Sequence, residues 1–306
     1  MVWVALTIAV AVAIGVEAER HAGERAGALA RRVLKTMLYV LTPFAAFVNI
    51  AHLHVTADVR GGVVAGWIAL ILAAAIGWAM GRLWLKLPAP SLGILINNGL
   101  QANTGYLGVP LAAAVLGLDH LSEAVAYDVL VQAPVFLIGA FAVAAATGTE
   151  AGETRRQRAR AFVARNPPLL ASLAGLLAPE SLAPGVLVDV ARVVVFAMLP
   201  LGFFAVGVTL ATEAEEGALR FPPPFTKPIA AALGLRLVVA PGLLYLLSLP
   251  FIALPPAFLI VAAMPAGLNS ITLAHAYGLD VRYAAGTIAW STAVAIAAGL
   301  LLVAVL

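Results

Sequence analysis

Two segments place polar and helix-breaking residues inside otherwise apolar stretches. The first reads Asn97-Asn98-Gly99-Leu100-Gln101-Ala102-Asn103-Thr104-Gly105-Tyr106-Leu107-Gly108-Val109-Pro110, and the second Met264-Pro265-Ala266-Gly267-Leu268-Asn269-Ser270-Ile271-Thr272. A helix interrupted in apolar surroundings exposes unpaired N–H groups and the positive end of its dipole, which together can hold a carboxylate without a fully buried cation. Candidate substrate-binding residues are therefore Asn103, Thr104, Gly105 and Pro110 in the first segment and Pro265, Asn269 and Ser270 in the second. Asn49, which with Thr42 flanks Pro43 in an earlier stretch, joins them as a residue able to reach the same place. The competing reading is packing. Glycine and proline are common in membrane helices, so Gly105 and Gly108 would be close contacts and Asn103 and Asn49 would bond neighbouring helices.

Two charges fall well inside apolar stretches: Asp128, with Gln132 one turn later, and Arg236. On insertion scales a charge at the centre of a span costs about 2.5 to 3.5 kcal/mol, so each needs a partner or a water-filled cavity. One reading makes Arg236 an anion counter-charge and Asp128 a proton carrier. The other makes them a structural ion pair or snorkelling side chains. His52 and His54 form an H-x-H with no third ligand in view, so no metal site is expected. Cysteine is absent and no Walker-type glycine loop occurs, which excludes thiolate chemistry and argues against ATP drive. No cofactor is implied.

These residues need elements that cross a membrane. Of 306 residues, 63% are hydrophobic and 11% charged, too apolar for a soluble core. Apolar spans of about 20 residues are placed near 2–17, 33–53, 62–82, 91–116, 122–146, 166–179, 186–211, 227–248, 256–276 and 283–305. The first lacks the basic lead of a signal peptide and is read as a membrane helix. An all-α, multi-pass protein with ten transmembrane helices is expected, with the lipid bilayer as its solvent.

Charge orients it. Alternate breaks hold Arg20, Arg25, Arg31, Arg32 and Lys35; Arg82 and Lys86; Arg155, Arg156, Arg158, Arg160 and Arg165; Arg220 and Lys227; and Arg282, against Arg60 and Arg192 in the opposite set, where Asp119, Glu123, Glu180 and Asp189 lie. Basic loops stay cytoplasmic, so both termini of this cytoplasmic-membrane protein are expected outside. Membrane topology accounts for the net charge of +3 without a nucleic-acid partner.

The hydrophilic stretch 148–165 separates five helices in 1–147 from five in 166–306. An odd number per half makes the halves inverted. Pro43 precedes Pro110 by 67 residues and Pro200 precedes Pro265 by 65, which suggests an inverted repeat with interruptions in corresponding helices, a mark of secondary transporters.

At these motifs the chain resembles the auxin efflux carrier family, which includes malate and malonate permease-like proteins. The resemblance is carried by Asn103 through Pro110, by Met264-Pro265 with Asn269 and Leu273 through Gly278, and by Leu199-Pro200-Leu201 with Val206-Gly207. It implies two inverted five-helix repeats similar to bile acid symporters, with the fourth and ninth helices crossing at their broken centres. It also implies a substrate pocket at the crossing, elevator-like motion and a homodimer. Departures exist: His275 and Ala276 stand where the family often has a basic residue, and Gly62 to Gly81 holds no carboxylate.

The expected activity is secondary transport of a small organic anion, such as a carboxylate or an auxin-like indole acid. Alternatives are a sodium- or proton-coupled symporter or antiporter of the bile acid symporter type, an intramembrane enzyme, and a channel. The exchanger would need paired carboxylates at the crossing, and the enzyme a convergent nucleophile and base or a metal-binding carboxylate cluster.

Overall fold

The computed structural model describes residues 2–51, 60–116, 120–150, 154, 156–157, 160, 167–215, 223–250 and 253–305. His52, His54, Asp119 and most of the stretch 148–165 lie outside them. In chain order the helices are α1 (Val2–Ala22), α2 (Glu24–Thr36), α3 (Thr42–Ala51), α4 (Arg60–Ala79), α5 (Ala89–Leu100), α6 (Val109–Leu116), α7 (Leu121–Tyr127) and α8 (Phe141–Thr147). There follow α9 (Pro167–Leu177), α10 (Gly185–Glu215), α11 (Lys227–Gly234), α12 (Ala240–Ser248), α13 (Pro256–Ala262), α14 (Asn269–Tyr277) and α15 (Val281–Val305). Among the described residues no strand forms.

Among the described residues, three helical segments are long and apolar enough to cross a membrane by length and composition: Gly61–Trp84, Glu123–Thr147 and Lys227–Ser248. The first shows why lipid must surround it. Val64, Trp67, Ile68, Ile71, Leu72 and Trp78 form an exposed apolar stripe on α4, while Ala65, Ala69, Leu70 and Ala73 are buried on its other side. A helix apolar all round belongs in a membrane.

Prolines explain much of the local geometry. π-helical turns cover Met37–Leu41, Thr104–Gly108, Asp128–Gln132 and Leu235–Val239, and each ends two residues before a proline: Pro43, Pro110, Pro134 and Pro241. A proline ring clashes with the carbonyl four residues back and lacks its own donor. Widening the preceding turn relieves the clash and keeps the helix running.

Packing separates two groups of helices. α1, α2, α3, α9 and α10 pack against one another. α4, α5, α8, α11 and α12 form the other group, with α13 against α6 and α7. α15 touches both groups through α10 and α11. Within the first group α1 and α10 lie backbone to backbone: a side chain on Gly15 would run into the Phe204 carbonyl, and one on Gly207 into that of Val12. Small residues permit this approach, which maximises dispersion contacts where lipid gives no hydrophobic drive. A shared side-chain bond crosses the same interface, Thr212 Oγ1 donating to Glu19 Oε1 at 2.8 Å.

Overpacking that seam should cost about 1–3 kcal/mol. Gly207→Leu is expected to lower the thermal midpoint of detergent-purified protein measurably, whereas Gly234→Ala, where an added methyl meets nothing, leaves it unchanged or raised; equal midpoints for the two would refute the close-packing account.

Candidate functional site at two helix breaks

The predicted interruptions are real breaks, and they meet. α5 ends at Leu100, non-helical backbone, extended at Gln101, covers Gln101 to Asn103, and helix resumes with the π turn at Thr104. α13 ends at Ala262, and α14 begins at Asn269. Between these ends Ala102 and Ala266 form an antiparallel bridge. Asn103 N donates to Pro265 O at 2.8 Å, and Gly267 N to Gln101 O at 3.4 Å. Two pieces of irregular backbone thereby satisfy each other, which is how such backbone is tolerated away from water.

Side chains from three neighbouring helical segments complete the pairing. Gln132 spans the first break: its Nε2 donates to Leu100 O at 2.9 Å and its Oε1 accepts from Ala102 N at 3.3 Å. Ser291 of α15 serves the second, its Oγ accepting from Ala266 N at 3.1 Å. Each bridge alanine thus gives its N–H to a side chain from the second helical segment after its own break.

Arg236 is fully buried, at 0% exposure. Its NH1 donates to Gly99 O at 3.3 Å and its NH2 to Ala262 O at 2.5 Å. These carbonyls end α5 and α13, so one guanidinium caps two helix C-termini and sits where both dipoles are negative. Its Nε has no partner. Asp128 serves the opposite polarity. Its carboxylate accepts from the Thr104 hydroxyl and faces Gly105, where an added Cβ would lie 3.3 Å from Oδ2. A carboxylate at the start of a helix complements its dipole.

The remaining residues fall around this frame. Asn103, at 2% exposure, precedes the π turn without capping it, and both its amide atoms are unpartnered. Pro265 lies within the second break, Asn269 opens α14 half-buried, and Ser270 beside it is buried with its hydroxyl unpartnered. No side chain caps α14. Pro110 is the second residue of α6, beyond the break rather than in it, so it and Pro265 are not equivalent places. Asn49 lies on α3, which packs against α9 and α10.

Sequence reasoning did not single out Asn97, Asn98 and Gln101. All three are buried, with both amide atoms unpartnered. Buried amides without partners are uncommon in folded proteins and call for an explanation. Three carboxamides in five residues of an apolar helix were a visible signal.

Broken helices that pair across a buried junction, within a chain of apolar helices, define a multi-pass membrane protein with a transporter-like interior. Comparison agrees. Residues 160–303 match the family model described as membrane transport protein. Over 221 residues the chain is 24% identical to the uncharacterized transporter MJ1031 of Methanocaldococcus jannaschii, covering 70% of this chain and 68% of that one. The resemblance read from the motifs therefore holds, and both comparisons point to a transporter rather than an enzyme.

Removing a bridging side chain leaves buried backbone groups unpaired, at about 1–3 kcal/mol per group. Gln132→Leu, which strands a carbonyl and an N–H, should lower the thermal midpoint more than Ser291→Ala, which strands one N–H. A smaller loss for Gln132→Leu would show that the bridges do not hold the breaks.

Proposed function

We propose that the chain is a secondary transporter of a small organic anion, bound where the two breaks meet. The observation that carries this reading is the cluster of buried, unpartnered polar groups beside paired irregular backbone: the amides of Asn97, Asn98, Gln101 and Asn103 and the hydroxyl of Ser270. Polar groups without partners in an apolar interior are costly unless a ligand or water meets them. Asn103, Thr104, Gly105, Pro265, Asn269 and Ser270 would surround the substrate, and the start of α14, which no side chain caps, would turn its positive dipole end toward it.

Ten transmembrane helices in two inverted repeats, 1–147 and 166–306 joined by a cytoplasmic linker at 148–165, suit this site. The paired roles of Gln132 and Ser291 on the two bridge alanines support a two-fold relation. Separate packing of the two helix groups supports an elevator, with the group that carries the breaks moving against α1, α2, α3, α9 and α10. A homodimer in the cytoplasmic membrane with both termini outside completes the proposal.

Coupling to protons or sodium is the second reading, and Asp128 favours it as a carboxylate set against the first break. Asp128→Asn keeps an acceptor for Thr104 but cannot exchange charge. It should retain substrate counterflow while losing its response to an imposed ion gradient; a full gradient response in this variant would remove Asp128 from coupling.

The substrate site is tested with radiolabelled mono- and dicarboxylates and indole acids in proteoliposomes. Asn103→Ala and Asn269→Ala are each expected to cut saturable uptake at least tenfold, the scale of about 1.4 kcal/mol, without loss of monodispersity. Unchanged uptake of every substrate in both variants would place the site elsewhere.

A further inference from the structure

We infer that a cleft at the α5, α11 and α15 ends binds the phosphate headgroup of an anionic phospholipid. Leu87, Ser91, Thr226, Asp280, Arg282 and Tyr283 contribute to its wall, and its volume is about 180 Å³. That is below the roughly 300–1,000 Å³ of clefts that enclose drug-sized ligands, so it suits a headgroup. Ser91 lies in the first turn of α5 and Gln101 follows its end, so the cleft lies about 15 Å along the helix from the break at 1.5 Å per residue. It is a separate place.

Charge favours an anion. Arg282 lines the cleft, and the exposed cations Lys86 and Lys227 neighbour the lining residues Leu87, Thr226 and Pro228. The lining carboxylate, Asp280, is already engaged: it accepts from Ser91 Oγ at 2.6 Å and from Tyr283 N at 2.9 Å, capping α15. Its charge is therefore directed into a helix N-terminus. Tyr283 is likewise held, its hydroxyl donating to Pro228 O at 2.7 Å, so the wall is built before any ligand arrives.

Aromatic residues favour a lipid over a free anion. Trp84 is 73% exposed and Phe225 59% exposed at the same end. Phe225 packs edge-on against Trp290 with ring centroids 5.4 Å apart, and Trp290 Nε1 donates to Pro223 O at 2.8 Å. Amphipathic rings beside lysine and arginine mark the headgroup level of a bilayer, and basic pockets between helices there take anionic headgroups.

The test uses full-length protein in neutral detergent, titrated with phosphatidylglycerol, phosphatidylcholine or inorganic phosphate and read by native mass spectrometry and thermal melting. The wild type should retain phosphatidylglycerol selectively and melt higher with it. The triple variant Lys86→Gln, Lys227→Gln, Arg282→Gln should bind it at least about tenfold more weakly. A control triple at other exposed cations, Arg25→Gln, Arg31→Gln, Arg32→Gln, should bind as the wild type does. Equal loss in both triples would reduce the effect to net charge, equal protection by inorganic phosphate would make the site one for a free anion, and equal retention of phosphatidylcholine would remove the headgroup preference; each overturns the inference.

Discussion

Everything in this structure turns on the cost of leaving backbone N–H and C=O groups unpaired where water is scarce. Two helices stop and restart inside the protein, and each stop leaves orphaned donors and acceptors. The fold answers by joining the breaks through the Ala102–Ala266 bridge and recruiting Gln132, Ser291 and Arg236 to what remains. None of these side chains lies in the breaks. They come from helical segments packed around them, so the breaks persist only while those neighbours hold position. Local irregularity is thereby tied to the tertiary arrangement of one helix group.

Helix continuity elsewhere is managed by a different device. Pro43, Pro110, Pro134 and Pro241 each follow a π turn that absorbs the ring. Their helices run on past them without stopping. Pro265 instead sits in a gap of six residues between α13 and α14, Ala263 to Leu268, beside Gly267. Proline alone therefore does not make a break. What separates the breaks from these uninterrupted turns is a run of residues that gives the backbone another partner to pair with.

That distinction sets how much could be read from sequence. Polar and glycine-rich character between Asn97 and Gly108 and between Met264 and Ser270 announced both interruptions, because such residues are poor at sustaining an apolar helix. Hydropathy located the three segments long and apolar enough to cross a membrane, Gly61–Trp84, Glu123–Thr147 and Lys227–Ser248. Proline spacing alone does not fix register: Pro110 lies past its break and Pro265 within one, and spacing along the chain cannot tell a proline inside a running helix from one in a gap. Partners were beyond reach too. Nothing in the local sequence of Arg236 says that its guanidinium ends on the carbonyls of Gly99 and Ala262, residues 137 and 26 positions away, since that depends on how three helices pack. Ser291 gave no signal at all, being one of many hydroxyls that bond their own helix.

The placement of charge has a consequence for recognition. Arg236, the one cation buried beside the breaks among the described residues, directs both terminal nitrogens to helix carbonyls. Asp128 is turned toward the start of the resumed helix through Thr104. Both full charges therefore serve helix ends, and the groups left unpartnered are almost all neutral amides and hydroxyls. A ligand held by such groups is recognised by directional hydrogen bonds more than by net charge. Neutral contacts also desolvate at lower cost than a buried ion pair, and breaking them again is correspondingly easier. A carrier needs that balance, because the same groups that bind on one side of a membrane must release on the other.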